Sequence, residues 1–142
     1  MKTCTFFGSR SVPAAVKTPL DAEIAALIDE GFDTFYVGNQ GEFDAMVLGV
    51  LREMAAARGI RYAVVLAYHP SAKQPGDFVR PEETMLPEEV AAAHPRFAIA
   101  KRNRWMLAQA DAVIACPMRA GGGADKFTAL AESQGKRVIR LR

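Results

Sequence analysis

Residues 35–44 read FYVGNQGEFD, and this stretch decides the fold class. A short apolar run typical of a β-strand passes through a turn bounded by Gly38 and Gly41 into the start of a helix. Units of this kind build parallel α/β sheets. The free N–H groups and the dipole at such a helix start favour an anion, or the polar edge of a base or ribose. The stretch therefore predicts both a fold class and a binding site, although a plain tight turn with an N-cap remains open.

The same alternation of strand and helix runs along the whole chain. Strand patterns occupy residues 3–7, 34–37, 62–67, 112–116 and 138–141. Helical patterns lie between them, from a cap at Thr18 to a stop at Gly31, from about 43 to Gly59, and at 97–110 and 125–134. We predict an α/β fold, a Rossmann-like three-layer sandwich with a mainly parallel five-stranded sheet. Ligands of such sheets bind outside the carboxyl ends of the strands.

One segment interrupts the alternation. Residues 68–95 contain five prolines, which prevent a long regular element there. We predict a single domain over 1–142 with a proline-rich insertion at about 68–95. Connections of this length are usually lids, binding loops or disordered stretches.

Composition excludes several classes of protein. The 18 Lys and Arg and the 16 Asp and Glu give a net charge of +2, which favours no particular partner. No apolar run approaches the roughly 20 residues of a membrane helix, and the N-terminus lacks a signal-peptide pattern. Cys4 and Cys116 fall within strand patterns, where reduced, buried thiols are expected. We therefore expect a cytoplasmic protein without membrane contact.

The loops that follow the strands supply the candidate ligand-binding residues. Glycines let a backbone approach a ligand closely, and arginine offers paired donors that match a phosphate. Asp44 could accept a hydrogen bond from a ribose hydroxyl. The triple glycine before the last helix is typical of a phosphate cradle, but it matches neither the spaced dinucleotide fingerprint nor the P-loop. The candidates in these loops are Gly8, Ser9, Arg10, Gly38, Asn39, Gln40, Gly41, Asp44, Gly121, Gly122, Gly123 and Ala124.

Arg102 and Asn103 add a further signal. They lie on the inward stripe of the third helix, where burying an unpaired charge costs several kcal/mol. Two explanations remain open. Arg102 pairs with an internal carboxylate, or it faces a cavity that takes an anion. We favour the cavity, because the strand-end loops carry few carboxylates.

A conventional catalytic set is missing from the sequence. His69 and His94 are too few for a metal site, and nothing near Cys116 in sequence would activate its thiol. We expect no metal and no cofactor. The weak candidates for a catalytic carboxylate are Glu42, Asp44 and Asp125.

These segments together resemble a known superfamily. The matching pieces are residues 5–10, 35–44, 64–68, 95–99, 101–107 and 122–127. They resemble the SLOG superfamily, named for its Smf/DprA and LOG members, and more closely its small single-domain bacterial branch related to the YpsA-type proteins. That branch commonly shows Gly-His-Arg after the first strand. This chain has Ser9 in place of the histidine, so any acid–base role of that histidine is absent.

The resemblance implies a Rossmann-like fold that binds nucleotides or their derivatives. LOG members release a base from a nucleoside monophosphate with an arginine and with a glutamate in P-G-G-x-G-T-x-x-E. The resemblance puts Arg102 at the place of that arginine. The place of the glutamate falls near Lys126 and Phe127, with Asp125 as the neighbouring carboxylate.

Three hypotheses of function follow. The leading one is binding or sensing of a phosphate-bearing small molecule, a nucleotide or nucleotide derivative, by a protein that is not an enzyme. The alternative is an N-glycosidase or phosphoribohydrolase acting on nucleoside monophosphates. Binding of single-stranded nucleic acid is the least favoured, because the sequence shows neither a broad basic surface nor evident stacking aromatics. Assembly into a homo-oligomer is compatible with each of them.

Overall fold

A computed structural model describes residues 1–69 and 79–141 of the chain. Its six strands are β1 (Thr3–Gly8), β2 (Thr34–Val37), β3 (Arg61–Val65), β4 (Thr84–Met85), β5 (Ala112–Cys116) and β6 (Arg137–Arg140). Its helices are α1 (Lys17–Asp29), α2 (Glu42–Arg58), α3 (Glu88–Ala91), α4 (Ala98–Gln109) and α5 (Gly123–Ser133). Short 3-10 turns occupy Ala14–Val16, Pro81–Glu83 and Pro95–Phe97.

The strands form one sheet in the order β4-β3-β2-β1-β5-β6, and every strand pairing is parallel. The buried side chains of α1 and α2 pack on one face of the sheet, whereas those of α4 and α5 pack on the other. The predicted Rossmann-like α/β sandwich is therefore confirmed. The chain order reverses between β1 and β5, and this reversal defines the topological switch point.

The sheet has six strands where five were predicted. The additional strand is β4, which lies within the proline-rich insertion and pairs with the end of β3. Two residues between Pro81 and Pro87 are too short to show any periodicity, so only main-chain pairing reveals this strand. The part of the insertion at 70–78 lies outside the described residues.

Two helix starts differ from the prediction. Val16, not Thr18, precedes α1, because the turn Ala14–Val16 runs directly into the helix. Pro19 is then the third helical residue, where the missing N–H costs nothing because it would have no partner in the helix. The last helix begins at Gly123 and so includes part of the triple glycine.

None of the helices in the described part of the chain is long and apolar enough to cross a membrane. Cys4 and Cys116 are free and buried.

Candidate functional site

A cavity opens at the topological switch point. Gly8 at the end of β1 pairs with Cys116 at the end of β5, and Gly8 lines this cavity of about 460 Å³. Ten of the candidate residues line it: Gly8, Ser9, Arg10, Gln40, Asp44, Arg102, Asn103, Gly122, Gly123 and Ala124. Four loops or helix starts that are distant in sequence thus meet at one place.

Arg102 is the most constrained residue of the cavity. It is 2% exposed. Its Nη1 donates to the Val65 carbonyl at 3.1 Å and to Asn39 Oδ1 at 3.4 Å, and its Nε donates to Asn103 Oδ1 at 2.8 Å. All three acceptors are neutral, and no described carboxylate oxygen lies within 4.0 Å of the guanidinium. The hypothesis of an internal ion pair therefore fails for the described residues.

The remaining nitrogen of Arg102, Nη2, differs from the other two. Nη2 has no hydrogen-bond partner among the described residues. Every fully buried side-chain nitrogen and oxygen in that part of the chain does have one. Nη2 therefore keeps some accessible surface, and Arg102 lines the cavity. Burial lowers the pKa of Arg102, and the nearby Asp44 carboxylate counteracts this effect.

Asp44 is the carboxylate nearest to this guanidinium. It is the third residue of α2 and is 6% exposed. Its Oδ2 accepts a hydrogen bond from the Gln40 N–H at 2.8 Å. Burial raises the pKa of Asp44 to about 6, although the Gln40 N–H and the charge of Arg102 both act to lower it. The carboxylate is thus poorly stabilised as an anion in the absence of a ligand.

The start of α5 forms another side of the cavity. The N–H groups of Gly123 and Ala124 donate to no acceptor in the described residues, as is usual in a first helical turn. Asp125 Oδ2 accepts from the Gly121 N–H at 2.8 Å and so holds the loop outside this turn. The helix dipole and the free N–H groups favour an anion here.

A hydrogen bond joins the loops after β1 and β5. Ser9 Oγ accepts from the Met118 N–H at 2.8 Å, and the Ser9 N–H donates to the Cys116 carbonyl at 3.2 Å. Ser9 therefore holds the glycine-rich loop against β1. Its hydroxyl is committed to the protein as an acceptor, while its proton remains available to a ligand.

Four candidate ligand-binding residues lie outside the cavity lining: Gly38, Asn39, Gly41 and Gly121. Asn39 holds Arg102. A Cβ on Gly38 would lie 2.9 Å from Arg102 Nη1 and 3.0 Å from Asp44 Oδ2, so a larger residue would displace both side chains. Gly41 adopts a φ of +99° and packs against the backbone of Arg10. These residues contact or position the lining residues without lining the cavity themselves.

The three candidate catalytic carboxylates also differ in whether they line the cavity. Asp44 lines the cavity, whereas Glu42 and Asp125 do not. The Glu42 side chain is exposed and the Asp125 side chain is engaged with Gly121. Among the described residues, no cluster of three or more His, Cys, Asp or Glu side chains could hold a metal ion.

The sequence did not single out seven further lining residues: Phe6, Phe7, Ser11, Ile99, Met106, Met118 and Arg119. Ile99 and Met106 lie on α4 with Arg102, and they supply the apolar wall. Arg119 lies between the end of β5 and the triple glycine. An arginine next to a phosphate-cradle pattern is the sequence signal that could have identified it. The lining contains three arginines (Arg10, Arg102 and Arg119) and one carboxylate, Asp44, so its net charge is positive.

Comparison with solved structures identifies the fold. DNA processing protein A (DprA) from Streptococcus pneumoniae superposes with a TM-score of 0.68 at 16% sequence identity. The chain has the fold of the half of DprA that it matches. The superposition covers 99% of this chain and 50% of DprA, so the chain spans about half the length of that protein. No protein-family profile matches the chain. No curated protein matches it either.

Proposed function

We propose that the cavity binds a phosphate-bearing small molecule, a nucleotide or nucleotide derivative, and that the protein is a binding or sensing module. The observation that carries this proposal is the guanidinium of Arg102, which is buried, lines the cavity, makes no direct ion pair and leaves Nη2 without a partner among the described residues. A buried guanidinium without a direct ion pair is costly, and an anionic ligand that accepts from it would reduce that cost.

The surroundings of Arg102 fit a phosphate. The free N–H groups of Gly123 and Ala124 and the side chains of Arg10 and Arg119 offer donors around the same space. A phosphate accepts several hydrogen bonds at once, and charged donors roughly double the strength of each.

The rest of the lining fits a larger ligand than a bare anion. Ile99, Met106 and Met118 give the cavity an apolar wall. Its volume of about 460 Å³ falls within the range of small-molecule sites. A nucleotide combines an apolar base with a phosphate. The resemblance to the YpsA-type branch of SLOG proteins also favours this class of ligand.

A thermal-shift screen tests the proposal. The panel contains the nucleoside mono-, di- and triphosphates, NAD, ADP-ribose and short single-stranded DNA, because a ligand of the native state raises the unfolding midpoint. We expect a mononucleotide or nucleotide derivative to give the largest shift. Tighter binding of the oligonucleotide than of any mononucleotide would reassign the site to single-stranded nucleic acid.

Substitution of Arg102 tests its role. Arg102→Met keeps the length of the side chain and should weaken binding of the best ligand by about 1.5–3 kcal/mol, the usual worth of a charged hydrogen bond. Arg102→Lys keeps the charge but loses the paired donors of the guanidinium, so its affinity should lie between those of Arg102→Met and the wild type. Titration calorimetry measures all three affinities. An unchanged dissociation constant in both variants would remove Arg102 from the site.

A second candidate function is hydrolysis of the N-glycosidic bond of nucleoside monophosphates. Asp44 favours it, because a buried carboxyl with a pKa raised to about 6 can act as a general base near neutral pH. However, Asp44 is the sole carboxylate among the described residues that line the cavity. We expect no base release from AMP, GMP, CMP or their deoxy forms by chromatography. Turnover that disappears in Asp44→Asn would establish the enzyme instead.

A further inference from the structure

Asp44 carries the opposite charge to the other ionisable side chains of the cavity lining. The site presents three arginines and the start of a helix, all of which attract anions, yet it also presents one buried carboxylate. Like charges at close range repel, so Asp44 weakens the binding of any simple anion.

The structural role of Asp44 accounts for only one of its two carboxylate oxygens. Oδ2 accepts from the Gln40 N–H and thereby fixes the turn before α2. Oδ1 has no donor among the described residues, although every fully buried side-chain oxygen there has a partner. Oδ1 is therefore accessible, and Asp44 lines the cavity.

Arg102 is close to Asp44 without neutralising it. Nη1 of Arg102 and Oδ2 of Asp44 both lie within 3.0 Å of the point where a Cβ on Gly38 would stand. No nitrogen of Arg102 comes within 4.0 Å of an Asp44 oxygen, however. The accessible Nη2 and the accessible Oδ1 therefore belong to neighbouring side chains that line the same cavity.

We propose that Asp44 restricts this cavity to oxyanions that bring their own hydrogen-bond donor, and that it excludes anions without one. The inference rests on the proposed function of the cavity as a phosphate site. An ionised carboxylate can only accept, so an oxygen placed against Oδ1 must carry a proton. The donor is either the P–OH group of the phosphate or a hydroxyl next to the phosphate on an ester. Rejection by a misplaced charge is a common basis of specificity.

Inorganic phosphate and sulfate form the matched pair for the first test. At pH 8 both are divalent tetrahedral anions, but hydrogen phosphate keeps one P–OH and sulfate has none. Calorimetric or NMR titration of the wild-type protein should show at least tenfold tighter binding of phosphate. One charged hydrogen bond supplies a factor of this size.

A second pair of probes identifies the source of the donor. At pH 8 a phosphate monoester has lost its second proton, whose pKa is about 6. Ribose 5-phosphate then carries hydroxyl donors and methyl phosphate carries none. Tighter binding of ribose 5-phosphate, by tenfold or more, would assign the donor to a hydroxyl. Equal binding of the two esters, together with a preference for phosphate over sulfate, would assign it to P–OH.

Asp44→Asn should reduce either preference to within about twofold, because an amide can donate as well as accept. Glu42→Gln is the matched control, since it removes an exposed acid from the same helical turn outside the cavity, and it should leave the preference intact. A preference that persists in Asp44→Asn would overturn the inference, since a structural role alone does not change an anion ratio.

Failure of the inference and failure of the proposed function are distinguishable. If the wild-type protein binds all four probes with Arg102-dependent affinity but without preference in either pair, donor selection is wrong and the anion site stands. If none of the four probes binds, the anion site is wrong, and donor selection fails with it.

Discussion

Two buried carboxylates, Glu83 and Asp44, have opposite environments in this molecule. Glu83 accepts from Arg52 Nε at 2.7 Å and Nη2 at 2.8 Å, from the Tyr62 hydroxyl at 2.7 Å and from the Arg80 N–H at 2.9 Å. Asp44 accepts one bond, from the Gln40 N–H. The pKa of Glu83 is lowered to about 2, chiefly by Arg52, whereas burial raises that of Asp44 to about 6.

The difference separates a structural charge from a charge that remains open to a ligand. Glu83 precedes β4, and its partners lie on α2 and β3, so its bonds hold the end of the insertion against the sheet. The protein itself supplies four donors to that carboxylate, and both of its oxygens are occupied. At Asp44 the protein leaves one oxygen without a donor among the described residues, beside an arginine that makes no direct ion pair with it. Burial without a direct ion pair distinguishes the proposed binding edge of this sheet from the network at Glu83.

The largest effect is expected at Glu83. Glu83→Gln removes the charge that Arg52 binds and should reduce the free energy of unfolding by about 3–5 kcal/mol, as for other broken buried pairs. Urea denaturation at pH 7 measures the loss. Glu82→Gln, the exposed neighbour, is the control and should leave stability unchanged. A loss no greater than in the control would contradict the structural role of the network.

The sign of the pH dependence follows from the lowered pKa of Glu83. Its folded-state pKa lies below the unfolded value, so its contribution is present above about pH 4.5 and is lost as the pH falls toward about 2. The difference between wild type and Glu83→Gln should therefore shrink on acidification through this window. A difference that is the same at pH 3 and pH 7 would mean that the charge is not the cause.

A smaller effect of the opposite sign is expected at Asp44. Its folded-state pKa is raised, so the stability associated with the protonated form is present below about pH 4 and is lost as the pH rises through about 6. Asp44→Asn should therefore be more stable than wild type at pH 8, by about 1–3 kcal/mol, and the gain should vanish near pH 4. Denaturation curves at both pH values measure it. A variant less stable than wild type at pH 8 would remove the contrast with Glu83.

The smallest effect is expected at an exposed pair of similar geometry. Arg137 donates to Glu30 at 2.6 and 3.0 Å, but the two side chains are 50% and 44% exposed. Salt and water screen such a pair, so it contributes little. Glu30→Gln should shift the denaturation midpoint by no more than experimental error. A loss comparable to that of Glu83→Gln would show that pairing itself, rather than burial, decides the stability of these charges.

The candidate site was predictable where a residue conflicted with its local pattern. Arg102 interrupts an apolar helical stripe, and the three consecutive glycines before the last helix cost conformational entropy, which suggests a specific backbone shape. Those residues line the cavity or shape it from behind. Ser11 and Arg119 gave no such conflict, because polar residues are ordinary in loops. The network of Arg52, Tyr62 and Glu83 could not be predicted from the sequence either. Glu83 is 31 residues from Arg52 and 21 from Tyr62, and each residue is compatible with its own local pattern.

The sequence by itself determined the alternation of strands and helices, the position of the glycine turns, and hence the Rossmann-like class. These features depend on the periodicity of burial within a few residues, which any local stretch records. Only the tertiary structure decided that Gly8 lies beside Cys116, that Ser9 holds Met118, and that β4 extends the sheet. Those contacts depend on strand order and on main-chain hydrogen bonds between segments distant in sequence. A two-residue strand and a serine in a loop carry no local signal of the partners that they meet.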